Sequence, residues 1–409
     1  MAFWHDELLA DPDFVRLLAS RTLAMLARGF APVAIAFGVL GLPGGNATTL
    51  SLVLAAEMIP LLIFLLPGGV LGDRYSRPTV IGVGAILALI GLSALTVMFL
   101  TGWGPLWALC LAAVLDGTSG ALSWPAFNGI IPDIVPSERF QRGNALLSMG
   151  ASTARLFGLI AGGAVVVLMG PGWAVACAAL MFAVTAVIAF QLPHRKTGLA
   201  GATESPWRQL ADGWQEFRSR QWLWVVVVQW ALMMLAMQAF IGVLGPVLAN
   251  EELGGAGAWA PFTAAEGFGA LLGVVIAMVW HPQRPILVGT LACLLAGAPA
   301  VLLGISAPFG LVLVTAVLNG LGFELFGVLW MTALQTEVPP EALSRVGAYD
   351  ALGSLLFTPV GLVLAGPMIL VWGLHPALIA CGVFMIVIVA AALLSPDVRT
   401  LRLQAPATQ

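Results

Sequence analysis

Six ionisable residues interrupt long apolar stretches of this chain: Arg28, Glu57, Asp116, Arg155, Glu266 and Glu324. If those stretches cross a bilayer, each charge costs about 3 kcal/mol or more at mid-depth, so each must be paired or be put to use. Two chemistries fit the residue types. Opposite charges on neighbouring helices lock them together, which suits both arginines, since a buried guanidinium cannot shed its proton. A carboxyl group removed from water can instead load and release a proton near neutral pH. Glu57, Asp116, Glu266 and Glu324 are candidates for that role, together with Asp350, which sits at the start of an apolar stretch and also reads as a first-turn anion. Gln229, Gln238, Asn319 and Gln335 are suited to lining a cavity or bridging helices. Met233, Met234 and Met237, with Phe240, read as an adaptable apolar wall or as residues facing lipid.

Other chemistries find little support. The four cysteines (Cys110, Cys177, Cys293, Cys381) fall in four different apolar stretches, and no pair has metal-ligand spacing. His5, His194, His281 and His375 lie in loops or at the ends of apolar stretches, with no Ser/His/Asp or His/Glu constellation around them. No phosphate-binding loop is present. These residues predict a protein that is not an enzyme and that holds neither a cofactor nor a metal.

The elements that position these charges follow from composition. Of 409 residues, 60% are hydrophobic and 9% charged, with a mean hydropathy of +0.99. A soluble domain is about half apolar and about a quarter charged, so a water-soluble globule is excluded, as are disordered and disulfide-rich secreted chains. The net charge of −3 offers nothing to a nucleic acid. Apolar stretches at 16–40, 48–71, 78–100, 105–126, 145–169, 172–192, 222–248, 259–280, 285–305, 309–331, 347–371 and 375–395 are each long enough to span a bilayer, and in lipid all must be helices. Counting rises of about 1.5 Å per residue puts Arg28, Glu57, Asp116 and Arg155 near mid-membrane.

With twelve crossings, every cation except Arg28 and Arg155 falls on the side of the two termini, which the positive-inside rule makes the cytoplasm of a multi-pass inner-membrane protein. The first 13 residues are polar and acidic, so no cleavable leader is expected. Trp103, Trp107, Trp173, Trp222, Trp259, Trp280 and Trp372 at span ends read as interfacial anchors. Residues 193–221 form a polar, basic cytoplasmic loop between a first six-span half (1–192) and a second (222–396), ahead of a short cytoplasmic tail (397–409). Within the loop, Trp207 to Arg220 suits a helix lying on the membrane surface.

The halves echo each other. Val135-Pro-Ser-Glu-Arg-Phe-Gln-Arg142 returns as Val338-Pro-Pro-Glu-Ala-Leu-Ser-Arg345, Gly158 and Gly163 as Gly361 and Gly366, and Arg77-Pro78 as Arg284-Pro285. A duplicated six-helix unit is a transporter architecture, with the substrate site between repeats near the midplane.

The stretch Gly69-Val-Leu-Gly-Asp73-Arg74-Tyr-Ser-Arg77 resembles the loop signature of the major facilitator superfamily, with Ser76 in place of its second glycine and Pro78 in place of its final cation. Pro125-Ala-Phe-Asn-Gly-Ile-Ile-Pro132-Asp-Ile-Val-Pro136, followed by Asn144-Ala-Leu-Leu, is similar to the drug:proton antiporter branch that contains macrolide and siderophore exporters. The resemblance covers essentially the whole chain. It implies an all-α fold of twelve transmembrane helices in two pseudo-symmetric halves. It also implies alternating-access, proton-coupled export of a hydrophobic or amphipathic small molecule by a monomer in the lipid bilayer, or else carriage of a nutrient or lysophospholipid. Within it, Gly69, Asp73, Arg74 and Arg77 form a gating loop, with Asp73 latching the cytoplasmic side. Gly158, Gly162 and Gly163 keep the glycines of the fifth-span exporter motif without its proline. Related exporters often carry an acid in span 1 and an arginine in span 4. Here Arg28 and Asp116 reverse that order, which predicts a swapped charge pair with Arg155 competing for Asp116.

Overall fold

The structure, a computed structural model, describes residues 7–136, 139–193, 214–215, 217–280, 282–338, 346–347, 349–350 and 353–402; the side chains of 7, 65–74, 128, 132, 140–142, 144–145 and 335 lie outside that description. Among the described residues there is no strand. Twelve helices are long and apolar enough to cross a membrane. They are α1 (Pro12–Leu40), α2 (Ala47–Arg74), α3 (Arg77–Thr101), α4 (Leu106–Gly129), α5 (Phe140–Met169), α6 (Pro171–Phe190), α7 (Gln221–Glu252), α8 (Ala256–Val279), α9 (Pro285–Gly304), α10 (Phe309–Glu337), α11 (Gly353–Trp372) and α12 (Leu374–Ala392). Each matches an apolar stretch of the sequence to within a few residues, with a larger overhang where a helix runs past the apolar run.

The ends are set by local chemistry. Asp11 caps α1 by accepting from the Asp13 amide at 2.9 Å, and Pro12 fills the first helical position, where its missing N–H loses nothing. Pro78, Pro171 and Pro285 open α3, α6 and α9 in the same way. The α5–α6 and α11–α12 turns are built alike: Gly170 (φ +94°) and Gly373 (φ +85°), 203 residues apart, take a conformation that few L side chains adopt. In α7 the ladder loosens into a π-helical segment, Ala239–Leu244, just ahead of Pro246, which has no N–H to continue the α pattern.

The chain divides into two compact units, one of residues 1–200 with 249–260 and one of 201–248 with 261–409. In the first, α1 packs on α5 and α6, α2 on α4, and α3 on α4 and α6. In the second, α7 packs on α11 and α12, and α9 on α10 and α12. Small residues let the backbones approach. A Cβ on Gly158 of α5 would collide with the Leu26 carbonyl of α1, and one on Gly361 of α11 with the Leu235 carbonyl of α7. The same crossing is therefore made in each half, as duplication requires.

Five of the seven span-end tryptophans are exposed, as anchors should be. Trp222 and Trp259 are instead 5% and 3% exposed, and Trp222 meets Trp330 edge-on at 5.4 Å. These two belong to the interior, because the helix face that carries them is turned toward neighbouring helices. Met233, Met234 and Met237 are likewise buried rather than facing lipid. Of the expected surface helix Trp207 to Arg220, the described part is helical at 214–215 and 217–219. There Trp214, Phe217 and Tyr349 gather their rings within 5.9 Å of one another; the rest lies outside the described residues.

Candidate functional site

In the first half, α1, α2 and α4 bring Arg28, Glu57 and Asp116 together. Helix α4 approaches α2 so closely that a Cβ on Gly117 would overlap the Glu57 carbonyl. One turn on, a side chain at Gly120 would meet Leu61 of α2 and the Arg28 guanidinium. Glycine at both positions lets the three helices converge where the charges lie. Asp116 is 4% exposed, and its Oδ1 has no hydrogen-bond partner. The Arg28 Nη2 is also buried without a partner, while its guanidinium carbon lies 5.6 Å from the centre of the Phe182 ring, a cation–π distance. Arg28 and Asp116 are the charges that act on Glu57, and Arg28 also acts on Asp116. The three form one electrostatic unit that stops short of a direct ion pair.

The same arginine borders a cavity of about 110 Å³ between α1, α4 and α6. Arg21 and Arg28, two turns apart on one face of α1, share its lining with Ser123, Trp124, Phe127 and Phe182. Drug-sized ligands fill clefts of ~300 Å³ or more, so this space suits a head group or a few waters rather than a whole molecule. No carboxylate lines it, and its two cations and aromatic rings favour an anionic or polarisable group. Reading the sequence for charges at mid-depth passes over Arg21, which looks like a cation at the cytoplasmic end of a span. Its spacing of seven from Arg28 was the available signal.

The remaining candidates distribute as follows. Arg155 lies on an exposed side of α5, and it is its backbone carbonyl that faces Gly29 of α1. The cation that acts on Asp116 is Arg28 and not Arg155, so the expected competition is not seen. Gly158 and Gly162 pack on α1, at Leu26 and Phe30, and Gly163 is buried beside them. Arg77 donates to Asp133 Oδ2 at 3.0 Å, tying the start of α3 to the short helix after α4. The side chains of Asp73 and Arg74, with Gly69, lie outside the described residues. In the second half, Glu266 of α8 accepts from Asn319 Nδ2 of α10 at 2.9 Å, and Glu324 of α10 is half-buried beneath Gly273 of α8. Asp350 accepts from Trp330 Nε1 at 3.0 Å. Gln229 is buried with both amide atoms unpartnered, and Gln335 lies outside the described side chains. His375 bonds to the Gly304 carbonyl at 3.0 Å. Among the described residues, no three of His, Cys, Asp and Glu gather where they could hold a metal.

The family model of the Major Facilitator Superfamily matches residues 17–356. Macrolide efflux protein A of Streptococcus pyogenes is 22% identical over 365 residues, covering 86% of this chain and 88% of that protein. The enterobactin exporter EntS of Escherichia coli O1:K1 / APEC is 26% identical over 306 residues, 73% of each. Among solved structures, the nucleoside transporter NupG superposes with a TM-score of 0.73 at 14% identity, over 94% of this chain and 98% of NupG, which is likeness of fold. Two six-helix units, built on repeated glycine crossings and enclosing charges that a bilayer would otherwise reject, are thus matched by a family model along most of their length: the chain belongs to the Major Facilitator Superfamily.

Proposed function

We propose that this transporter is a proton-coupled exporter of hydrophobic or amphipathic small molecules, working as a monomer in the cell's inner membrane with both termini in the cytoplasm. The observation that carries the coupling is the cluster of Arg28, Glu57 and Asp116 inside the first helical unit, where only a change of protonation or of partner can alter the charge. Export rests on the two relatives named as an efflux protein and an exporter along most of the chain. The proton gradient supplies about 2.3 kcal/mol per charge per 100 mV, an adequate source without nucleotide chemistry. Gly69, Asp73, Arg74 and Arg77 serve as the cytoplasmic gate, and Gly158, Gly162 and Gly163 let α5 lie close on α1 as the unit moves. Should neither Glu57 nor Asp116 carry the proton, Glu266 and Glu324 are the next acids to test; Arg155 lies on an exposed side of its helix.

The arginine-lined cavity favours a second reading in which the cargo carries an anionic head, as a lysophospholipid does. Everted membrane vesicles with an imposed pH gradient decide between the two. Accumulation of neutral or cationic amphipathic dyes that collapses with a protonophore supports proton-coupled drug export. Transport of a labelled lysophospholipid that ignores the gradient supports the flippase. Transport of neither across a broad panel would defeat the exporter reading.

A further inference from the structure

The polar centres of the two halves are variants of one arrangement. Ala55-Ala56-Glu57 on α2 recurs as Ala264-Ala265-Glu266 on α8. Ala113-Val114-Leu115-Asp116-Gly117 on α4 recurs as Ala316-Val317-Leu318-Asn319-Gly320 on α10. Leu26-Ala27-Arg28 on α1 recurs as Leu235-Ala236-Met237 on α7. The backbone repeats with the sequence: a Cβ on Gly117 would strike the Glu57 carbonyl, and one on Gly320 the Glu266 carbonyl. Matching residues therefore stand in matching places within each unit, and the differences between them can be read one by one.

Three differences matter. Asp116 stands where the second half has Asn319. Arg28 stands where it has Met237. Arg21, by the same offset, stands where it has Trp230, whose ring centre lies 4.7 Å from those of Phe323 and Phe326. The glutamate alone is common to both. In the second half the Asn319 amide donates to Glu266 at 2.9 Å, and an amide N–H is a permanent donor. In the first half the corresponding side chain is a carboxyl. It can donate to Glu57, or accept from it, only when one of the two carries a proton. Without that proton two like charges act on one another across the close α2–α4 crossing, where Asp116 Oδ1 is buried and unpartnered. The charged groups near the pair are few. Arg28 approaches from α1, while α3 carries none between Pro78 and Thr101, and α6 none at all.

We infer that Glu57 and Asp116 form a single-proton site balanced by Arg28, and that Glu266–Asn319 is the same site with its hydrogen bond made permanent, so that of these two matching sites only the first half's takes up and releases a proton. The balance is simple. A proton from water joins one carboxylate oxygen, the O–H donates to the other carboxylate, and the cluster of one cation and two acids goes from a net single negative charge to neutral. The inference deepens the proton-coupled reading above and supplies its proton site.

The test needs no cargo. The full chain in liposomes is titrated through the neutral range while infrared difference spectroscopy follows the protonated-carboxyl stretch. The expected result is a band for one carboxyl that disappears completely in Glu57→Gln and in Asp116→Asn alike, with the double variant losing no more than either single. Asn319→Asp should add a second band of similar size. If Asp116→Asn does not fold, Arg28→Met/Asp116→Asn copies the second half's residues and should fold and lack the band. Two losses that add in the double variant would mean independent acids, and a band that survives all the variants would place the proton elsewhere; either overturns the shared site. Transport that ignores the pH gradient while the shared band persists would instead defeat the coupled-export reading and leave this site standing.

Discussion

Replacing Arg28 and Asp116 together should be far gentler than replacing either alone. Asp116 is 4% exposed and Arg28 has a buried, unpartnered Nη2, so neither keeps its hydration when its counter-charge is removed. Breaking a directly bonded buried pair costs about 3–5 kcal/mol. Arg28 and Asp116 do not touch and Glu57 stays beside whichever is left, so a smaller loss is expected, while exchanging both for well-packed neutral residues is often neutral. The second half names the residues to use: Met237 and Asn319 occupy the matching places. Arg28→Met and Asp116→Asn should each cost about 2 kcal/mol, and the double about 1 kcal/mol or less, leaving a coupling energy of about 3 kcal/mol. Reversible unfolding in mixed micelles measures all four corners of the cycle, with the exchanged Arg28→Asp/Asp116→Arg variant as a fifth point that should recover part of the loss. A double variant that costs the sum of the two singles would show that these charges are solvated separately, and the reasoning from burial would fail.

Other consequences are equally direct. Gly117→Ala and Gly320→Ala should each destabilise by about 1–3 kcal/mol or prevent folding, since the added carbon meets a carbonyl of the neighbouring helix, and thermal unfolding would register it. Asp133→Asn should weaken the tie to Arg77, in which the Arg77 and Asp133 side chains are 16% and 12% exposed, by about 1.5–3 kcal/mol with little dependence on salt; a strong salt dependence would mark the contact as solvated. Asp73→Asn should abolish or sharply reduce transport while expression stays near normal, and full transport would reduce the loop to a simple turn. A cysteine placed at Asn46 should be labelled by an impermeant maleimide in intact cells and one placed at Lys196 should not, and the opposite pattern would invert the topology.

The spans were legible because lipid allows few alternatives: a run of apolar residues long enough to cross must be a helix. The duplication was legible from Val135–Arg142 and Val338–Arg345, where a repeated pattern of proline, glutamate and arginine stands out between apolar runs. Its more informative copies, Ala113–Gly117 against Ala316–Gly320, lie inside apolar runs where composition hides them. Depth along the helix put Arg28, Glu57, Asp116 and Arg155 at one level, but azimuth does not follow from depth. The first three come together in the structure, whereas Arg155 lies on an exposed side of α5. Trp222 and Trp259 fail for the same reason, since position at a span end says nothing about which side of the helix meets a neighbour. Arg21 drew no separate attention in the sequence, because a cation near a helix end is ordinarily solvated; its place on the cavity beside α4 and α6 is visible only in the structure.

The repeated crossing at Gly117 and Gly320 bears on how such a protein acquires an odd stoichiometry. Two identical six-helix subunits related by a dyad must carry every residue twice, so a titrating acid would appear in both or in neither. Fusion into one polypeptide removes that constraint. Codons for aspartate and asparagine differ at a single base, so one substitution in one copy of the gene segment is enough to give the two copies different chemistry while each keeps the same helix crossing.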